Sequence, residues 1–398
     1  EGFWHWPAIP LLCDQAIYNR LDRAASRMKE FFEQMSHGLR ERLLPYQQRE
    51  LAPFANGVYA LDESTLDEVG RWLPELRELC QKEVGLRAGR ISALFDVRVQ
   101  QWWKVDVLQE AETNCKVHAR TMMETLPAGA LLLFDRGYFA FEWFDELTGR
   151  GLFWISRYSN HASYQIMHVC YCGDGVLDAI IRLGNYRSDQ ARSPVRLLQF
   201  WYRGQQYSYL TNVCDPLLLP LAEVVRLYAR RWDIELGFRL LKDHLHLRLL
   251  WSAKWSVIQV QLWAALLLAQ FFHGLQQEIA HQAGVKPEEV SLELLVRLTP
   301  RWLQHGIDPV RCALRFGREL GIIRPSSRTN WQLPLVEPSW VTPPSAEVLH
   351  PREQARHAHR KCHARSPSHP APCAGANEGP RVKLKGGVLV PVHSHLLE

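Results

Sequence analysis

The feature that most constrains the fold of this chain is a short, unbroken apolar run at residues 130–134, ALLLF, which ends directly at Asp135. A strand with apolar residues at every position has two faces to bury, so helices must cover both sides of its sheet. The segments around it read, in order, as strand, helix, two strands, helix, strand, helix and strand. The two adjacent strands at 91–97 and 102–108 predict an antiparallel pair near the start. The sequence therefore predicts an α/β fold with a mixed sheet flanked by helices.

The rest of the chain divides by composition into further regions. A helix is predicted over 14–44, with basic residues on its surface, which fits either a remnant of a DNA-binding bundle or an ordinary amphipathic helix. Four strand-like runs occupy 161–217, and Pro220 precedes a long predicted helix reaching about Leu245. Helices are also predicted over 255–281 and 291–321. A stretch rich in Pro, His, Ser and Arg from about 342 predicts disorder, because it has too little apolar surface to offset the entropy of ordering.

Composition narrows the class of protein. Hydrophobic residues make up 47% of the chain and charged residues 22%, with a formal net charge of +5, which suits a nucleic-acid partner without requiring one. Nine scattered cysteines are typical of a reducing compartment. The most apolar stretch, 257–272, is interrupted by three glutamines and is too short to span a bilayer, so we expect a soluble cytoplasmic protein with no membrane partner. The chain begins at Glu1 rather than Met, so we expect further residues to precede it.

Four polar side chains share one face of the long predicted helix. Tyr228, Arg231, Glu235 and Lys242 are separated by three, four and seven residues. At about 100° per residue they fall within an arc of about 60°, whereas Asp233 points away. A solvated charged face with an Arg231–Glu235 ion pair would have the same pattern.

Two carboxylates precede this helix, each after a short apolar strand. Asp62 follows GVYAL and Asp135 follows ALLLF. Carboxylates that converge from strand ends and a helix form the oxygen-rich kind of site that binds Mg²⁺. A helix through about Leu79 is predicted to follow, capped by Ser64 or Thr65. Alternatively, Asp62 is itself a helix-capping residue, and Asp135 is a turn residue before Gly137. The three acids together are harder to explain in this way than each one alone.

Three segments, VYALDEST, LLLFDRGYF and YARRWDIELGFRLLK, closely resemble the bacterial insertion-sequence DDE transposases of the Tyr-Arg-Glu-Lys signature group. The spacing Y-x2-R-x3-E-x6-K agrees with that signature at every position, and the resemblance covers roughly residues 10–280. In this group a small residue usually follows the first acid, whereas Glu63 follows Asp62 here; Asp67 and Asp96 are the alternative first acids.

This resemblance implies an RNase H-like fold, interrupted by an all-β insertion between the second Asp and the Glu. It implies metal-dependent cleavage of transposon ends and strand transfer into target DNA by a dimer bound to terminal inverted repeats, in the bacterial nucleoid. Asp62, Asp135 and Glu235 would be catalytic and would hold two Mg²⁺ ions, or Mn²⁺. Tyr228, Arg231 and Lys242 would contact DNA phosphates. Some relatives seat a flipped base on an aromatic ring, for which Trp154, Trp201 and Tyr202 are candidates.

The predicted regions have the following boundaries: a helical N-terminal DNA-binding remnant at 1–55, the first part of the catalytic core at 56–160, the β-rich insertion at 161–217, the second part of the core with the signature helix at 218–282, a helical C-terminal region at 283–341 and a disordered basic tail at 342–398.

Two other functions stay open. The chain could be a catalytically inactive, transposase-derived DNA-binding protein, or another RNase H-like nuclease, such as a resolvase, that cuts without strand transfer.

Overall fold

The structure is a computed structural model that describes residues 14–66, 89–108, 115–185, 190–250, 254–326 and 331–352. Its centre is one mixed sheet of nine strands, in the spatial order β3-β2-β1-β4-β5-β9-β8-β7-β6. The strands are β1 Val58–Thr65, β2 Arg90–Asp96, β3 Gln101–Leu108, β4 Leu131–Phe134, β5 Phe153–Arg157, β6 Tyr164–Gly173, β7 Val176–Leu183, β8 Val195–Tyr202 and β9 Gln205–Thr211.

The apolar run 130–134 forms the buried central strand that its composition predicts. All four residues of β4 are buried, and β4 pairs in parallel with β1 on one side and β5 on the other. Leu131 and Leu133 belong to one core cluster, whereas Leu132 and Phe134 belong to another. Successive side chains of a strand point to opposite faces, so these two clusters are the two sides of the sheet. The predicted mixed sheet with helices on both faces is confirmed.

Eight α-helices lie within the described residues: α1 Asp14–Leu43, α2 Cys115–Met123, α3 Phe141–Gly149, α4 Leu221–Arg230, α5 Trp232–Arg239, α6 Trp255–Ala283, α7 Leu292–Gln304 and α8 Pro309–Phe316. Residues of α2 and α3 fill one core cluster, and residues of α1, α4, α5 and α6 fill the other. The predicted segment 291–321 resolves into α7 and α8, which are separated at Gly306 by a positive φ of 67°.

Helix α6 carries the most apolar sequence of the chain. Among the described residues it is the one helix long and apolar enough to cross a membrane by length and composition, but 61% of its apolar window is buried within the protein. It packs along α1, where the Phe32 and Trp263 rings lie 5.3 Å apart. Core packing therefore accounts for its hydrophobicity.

The long helix predicted after Pro220 is divided into three parts. α4 ends at Arg230, where the amide of Arg231 donates to the Tyr228 carbonyl instead of the residue four positions back. α5 then runs into a π-helical turn, Leu240–His244, closed by a bond from the Leu245 amide to the Leu240 carbonyl. Such turns change the rotational phase of the residues that follow, so Lys242 does not keep the position that an ideal helix gives it.

The four strands between 161 and 217 continue the same sheet. β5 pairs antiparallel with β9 through Ile155 and Thr211, and β8, β7 and β6 follow in antiparallel order. The strand content of this interval is as predicted. The described strands extend the main sheet and do not form a sheet of their own. The boundaries assigned to the insertion and the other regions stay predictions.

Residues 331–352 pack against the outer strands of this sheet. The Tyr202 and Trp331 rings lie 4.8 Å apart, and the Thr342 amide donates to the Cys170 carbonyl on edge strand β6 at 2.9 Å. Edge strands offer unpaired backbone groups, and these residues use one of them. The prediction of a disordered tail is therefore wrong for 342–352, whereas residues 353–398 lie outside the described part of the chain.

Candidate active site

Asp62 and Asp135 are brought together by the pairing of two parallel strands. β1 and β4 are in register with Leu61 opposite Phe134, so Asp62 and Asp135 are the next residues on neighbouring strands. Neighbouring strands lie about 4.8 Å apart. The predicted position of Asp135 after its strand is confirmed, whereas Asp62 lies inside β1, which continues to Thr65. Asp62 is therefore not a helix cap, and the helix predicted to follow Ser64 or Thr65 lies outside the described residues.

The DRGY segment fixes the Asp135 side chain. Its Oδ1 accepts a 2.8 Å hydrogen bond from the amide of Gly137, within the short 3₁₀ turn Arg136–Tyr138. A Cβ atom on Gly137 would lie 2.9 Å from that same Oδ1. Glycine at this position therefore lets the backbone approach the carboxylate, so the turn interpretation and the site interpretation of Asp135 are compatible.

Glu235 reaches the site because α5 lies close to the sheet. A Cβ atom on Gly237 would stand 2.8 Å from Cζ2 of Trp102, a fully buried side chain of β3. Only a residue without a side chain allows this approach. Glu235 lies two residues before Gly237 on the same helix, and α5 contacts β1.

Arg231 connects two of the three carboxylates. Its Nη2 donates to Oε1 of Glu235 at 2.5 Å, and its Nη1 lies 3.5 Å from Oδ2 of Asp62. The Arg231 side chain is only 8% exposed. The i,i+4 pair with Glu235 was predictable from spacing, but the contact with Asp62 spans 169 residues and depends on the fold.

The charges of Asp135 and Glu235 act on the Asp62 carboxyl. Burial raises the pKa of Asp62 from 3.8 to about 7. The amide of Glu63 and the charge of Arg231 act to lower this pKa, whereas the charges of Asp135 and Glu235 raise it. A carboxyl whose pKa is raised by burial and by like charges is typical of a functional site.

The other residues of the predicted stripe lie at or near this cluster. Lys242 donates from Nζ to the Thr65 carbonyl at the end of β1, at 2.6 Å. Tyr228 is only 5% exposed, and its ring packs 4.8 Å from that of Tyr209 and 5.7 Å from the Arg231 guanidinium. The residues of the stripe therefore differ in burial: Tyr228 lies in the core, whereas Lys242 lies towards the surface.

A cleft of about 420 Å³ opens beside the acids. It is lined by Asp62, Glu63, Ser64, Glu235, Phe238, Arg239, Lys242, Asp243 and Arg248. At its rim Asp243 pairs with both Arg239 and Arg248, at 3.4 and 2.6 Å. Sequence reasoning did not single out Arg248, because nothing in its spacing links it to the stripe.

Asp96, one of the alternative first acids, does not join this cluster. Asp96 is buried at the end of β2 and accepts from the amides of Arg98 and Val99, and burial raises its pKa to about 6. Asp67 lies outside the described residues. The unusual Glu63 is paired with Arg90 at 2.7 Å, which balances its charge. Asp233 points away from the site, as predicted, and pairs with buried Arg230.

The aromatic candidates differ in accessibility. Trp154 is fully buried and stacks on Phe144 at 4.4 Å, so it cannot receive a base without unfolding. Trp201 is 57% exposed on β8, whereas Tyr202 is covered by Trp331. Trp232, which sequence reasoning missed, is 52% exposed with its ring 5.6 Å from the Arg231 guanidinium. An exposed tryptophan next to a signature arginine was the available signal.

The donor set suits a divalent cation, although the side chains are not arranged around one. Carboxylate oxygens are the ligands that Mg²⁺ prefers, and a cationic group, the Arg231 guanidinium, already lies between two of them. Within the described residues, no group of three or more His, Cys, Asp or Glu side chains is close enough to hold a metal ion. The residues fit the ion by chemistry, and some side-chain movement must bring their oxygens together.

Parts of the chain are similar to known transposases. The family described as the transposase DDE domain matches residues 82–271, a segment that contains Asp135 and Glu235 but not Asp62. Over these residues the chain is similar to that domain, and the two relatives below are named as transposases.

Two bacterial relatives are similar over part of their length. The transposase InsG for insertion sequence element IS4 of Escherichia coli K12 is 27% identical over 212 residues, 48% of this chain and 46% of that protein. The protein y4zB of Sinorhizobium fredii, named as a transposase, is 25% identical over 167 residues, 40% of this chain and 46% of that protein. The chain spans about half the length of the curated relatives it matches.

The solved structures to which the chain is similar include the cryo-EM structure of a piggyBac transposase synaptic complex with hairpin DNA. It has a TM-score of 0.37 and 11% identity, and the match covers 72% of this chain and 60% of that one.

Proposed function

We propose that this protein is a DNA transposase of the Tyr-Arg-Glu-Lys signature group, which cleaves the ends of an insertion sequence and joins them to target DNA. The observation that carries the proposal is the convergence of Asp62, Asp135 and Glu235 from two adjacent strands and a closely packed helix. The five-strand order β3-β2-β1-β4-β5, with β1 parallel to β4, supports an RNase H-like core. The matched family supports the class of enzyme.

In this proposal the three acids hold the metal. Asp62, Asp135 and Glu235 would bind two Mg²⁺ or Mn²⁺ ions, and bound divalent ions activate a water or a 3′-hydroxyl and stabilise the leaving oxygen of a phosphodiester. Burial, and to a smaller extent the charges of Asp135 and Glu235, raise the pKa of Asp62, and a cation shared among the carboxylates would offset both effects.

The basic residues would place the DNA. Arg231 offers a planar fork of donors suited to bidentate contact with a phosphate, and Lys242 lies at the adjoining cleft. Tyr228 is buried beneath Arg231, so we assign it to holding the guanidinium in place. Double-stranded DNA, with terminal inverted repeats and a target, is the proposed substrate of a homodimer in the bacterial cytoplasm, associated with the nucleoid.

The first experiment removes each acid in turn. Asp62→Ala, Asp135→Ala and Glu235→Ala are expected to lower cleavage by at least about 10³-fold, because each removes a metal ligand. The readout is nicking of a labelled duplex that carries the DNA flanking the gene, with Mg²⁺, alongside a gel-shift assay in which binding persists. Glu293→Ala, an exposed acid on α7, is the matched control and should cut normally.

The outcomes separate the proposal from its alternatives. Wild-type cleavage by any of the three variants would show that this residue is not a ligand. Binding without cleavage by the wild-type protein would indicate the inactive DNA-binding alternative. Cleavage without joined donor–target products would indicate a nuclease that lacks strand transfer.

A further inference from the structure

The Arg231 guanidinium takes the place between Asp62 and Glu235 that a bridging cation would need. Each of its terminal nitrogens faces a different carboxylate, at 3.5 Å for Asp62 and 2.5 Å for Glu235. The Asp62 and Glu235 side chains keep exposures of 21% and 32%, whereas Arg231 is 8% exposed. The positive charge is thus the most buried member of the group, lying between two more accessible negative ones.

This arrangement and metal binding exclude each other. A Mg²⁺ ion holds its oxygen ligands at about 2.1 Å, so ligands on the same ion must be close together. A guanidinium that separates two carboxylates prevents such an approach, which agrees with the finding that no described acids form a metal-holding group. The two cations also repel each other at short range, and more strongly in a partly buried site than in water.

We propose that Arg231 is an internal cation that occupies the metal position in the metal-free protein, and that a divalent ion binds by displacing it. The proposal rests on the proposed function for the identity of the acids as metal ligands. It assigns Arg231 a role besides phosphate contact: it keeps Asp62 and Glu235 neutralised until metal arrives.

The surroundings of Arg231 allow such a displacement. Its guanidinium lies 5.7 Å from the Tyr228 ring and 5.6 Å from the Trp232 ring, and Trp232 is half exposed. An aromatic face stabilises a cation without directional hydrogen bonds. The Arg231 side chain can therefore turn towards Trp232 and keep a favourable contact. Arginine stays charged at any physiological pH, so the exchange depends on a competing ligand and not on loss of a proton.

DNA binding would favour the exchange. A phosphate near the cleft competes with Asp62 and Glu235 for the guanidinium and so leaves those acids free for metal. Coupling between two ligands is reciprocal. DNA should therefore tighten metal binding and metal should tighten DNA binding, and part of this coupling should pass through Arg231.

The test measures Mn²⁺ binding to the full chain without DNA, by electron paramagnetic resonance of the free ion at about pH 8. Arg231→Gln removes the competing charge, and we expect Mn²⁺ affinity to rise at least about tenfold over wild type. Arg231→Lys keeps a positive charge and should stay within about threefold of wild type. Arg226→Gln is the matched control, because Arg226 also pairs with a carboxylate, Glu223, on the preceding helix; its Mn²⁺ affinity should not change.

A chemical rescue tests the same exchange in another way. In Arg231→Ala, millimolar methylguanidinium should refill the gap and weaken Mn²⁺ binding competitively, whereas it should have no effect on Arg226→Ala. If loss of Arg231 destabilises the fold, Mn²⁺ should stabilise Arg231→Gln more than wild type, seen as a larger Mn²⁺-induced rise in melting temperature.

The outcomes distinguish this proposal from the proposed function. Equal or weaker Mn²⁺ binding by Arg231→Gln, with normal wild-type binding, overturns the exchange alone. No Mn²⁺ binding by any variant overturns both the exchange and the metal site. Tighter binding by Arg231→Gln supports the exchange even if the protein cuts no DNA, because the titration contains none.

Discussion

At the scale of the residue, the environment of Asp62 is unfavourable for its own negative charge. Burial raises its pKa to about 7 even though Arg231 and the Glu63 amide favour the ionised form. A folded-state pKa above the unfolded value stabilises the fold at low pH, and this contribution is lost as pH rises through the folded value. Asp62 therefore stabilises the metal-free fold below about pH 4, and that stabilisation is gone above about pH 7.

Asp62→Asn should accordingly make the metal-free protein more stable than wild type at about pH 8, by up to roughly 4 kcal/mol. The difference should vanish near pH 4, where the wild-type carboxyl is protonated. Denaturant unfolding across this pH range, with metal chelated, is the measurement. Glu293→Gln, at an exposed position, should show no such trend. A difference that does not grow with pH would mean that the acid is not buried against its charge.

At the scale of the element, the close approach of α5 to the sheet decides whether Glu235 reaches the other acids. Gly237→Ala places a Cβ 2.8 Å from Trp102, which is fully buried and cannot yield. We expect a loss of about 1–3 kcal/mol in stability and a fall in cleavage, because α5 must move away from β1. Gly38→Ala in α1 is the matched control: it has open space around it and should gain about 0.5–1 kcal/mol. Thermal unfolding and nicking assays report both effects, and unchanged cleavage by Gly237→Ala would show that α5 can shift without displacing Glu235.

The elements also show what the sequence could predict. The run ending at Asp135 predicted a strand end correctly because four consecutive apolar residues leave few alternatives. Asp62 was misplaced at a strand end because β1 continues through polar residues, DEST, that resemble a helix start. The Arg231–Glu235 pair followed from spacing, whereas the Arg231–Asp62 contact and the fit of Gly237 against Trp102 depend on tertiary packing. The π-helical turn Leu240–His244, which contains Lys242, was not predicted from the sequence pattern.

At the scale of the whole molecule, one sheet joins the strands of the candidate site to the four strands beyond β5. The junction is the pairing of β5 with β9, and Asn212 reinforces it. Its Oδ1 accepts from the Trp154 amide at 2.9 Å, and its Nδ2 donates to the Leu152 carbonyl at 2.8 Å. Partly buried side-chain bonds of this kind are costly to lose, since each loss leaves a backbone group without this partner.

A continuous sheet with shared cores should unfold as one cooperative unit. Cooperative unfolding makes transitions seen by different probes coincide, so tryptophan fluorescence and far-ultraviolet circular dichroism should give the same denaturant midpoint. Asn212→Ala should lower that midpoint for both probes together, by an amount equivalent to about 1–3 kcal/mol, because the junction belongs to the common unit. Asn212→Asp keeps the acceptor for the Trp154 amide and loses only the donor, so it should cost less. Two separate transitions in the wild-type protein, with only one of them sensitive to Asn212, would instead show that β6–β9 fold as an independent part, as an inserted domain would.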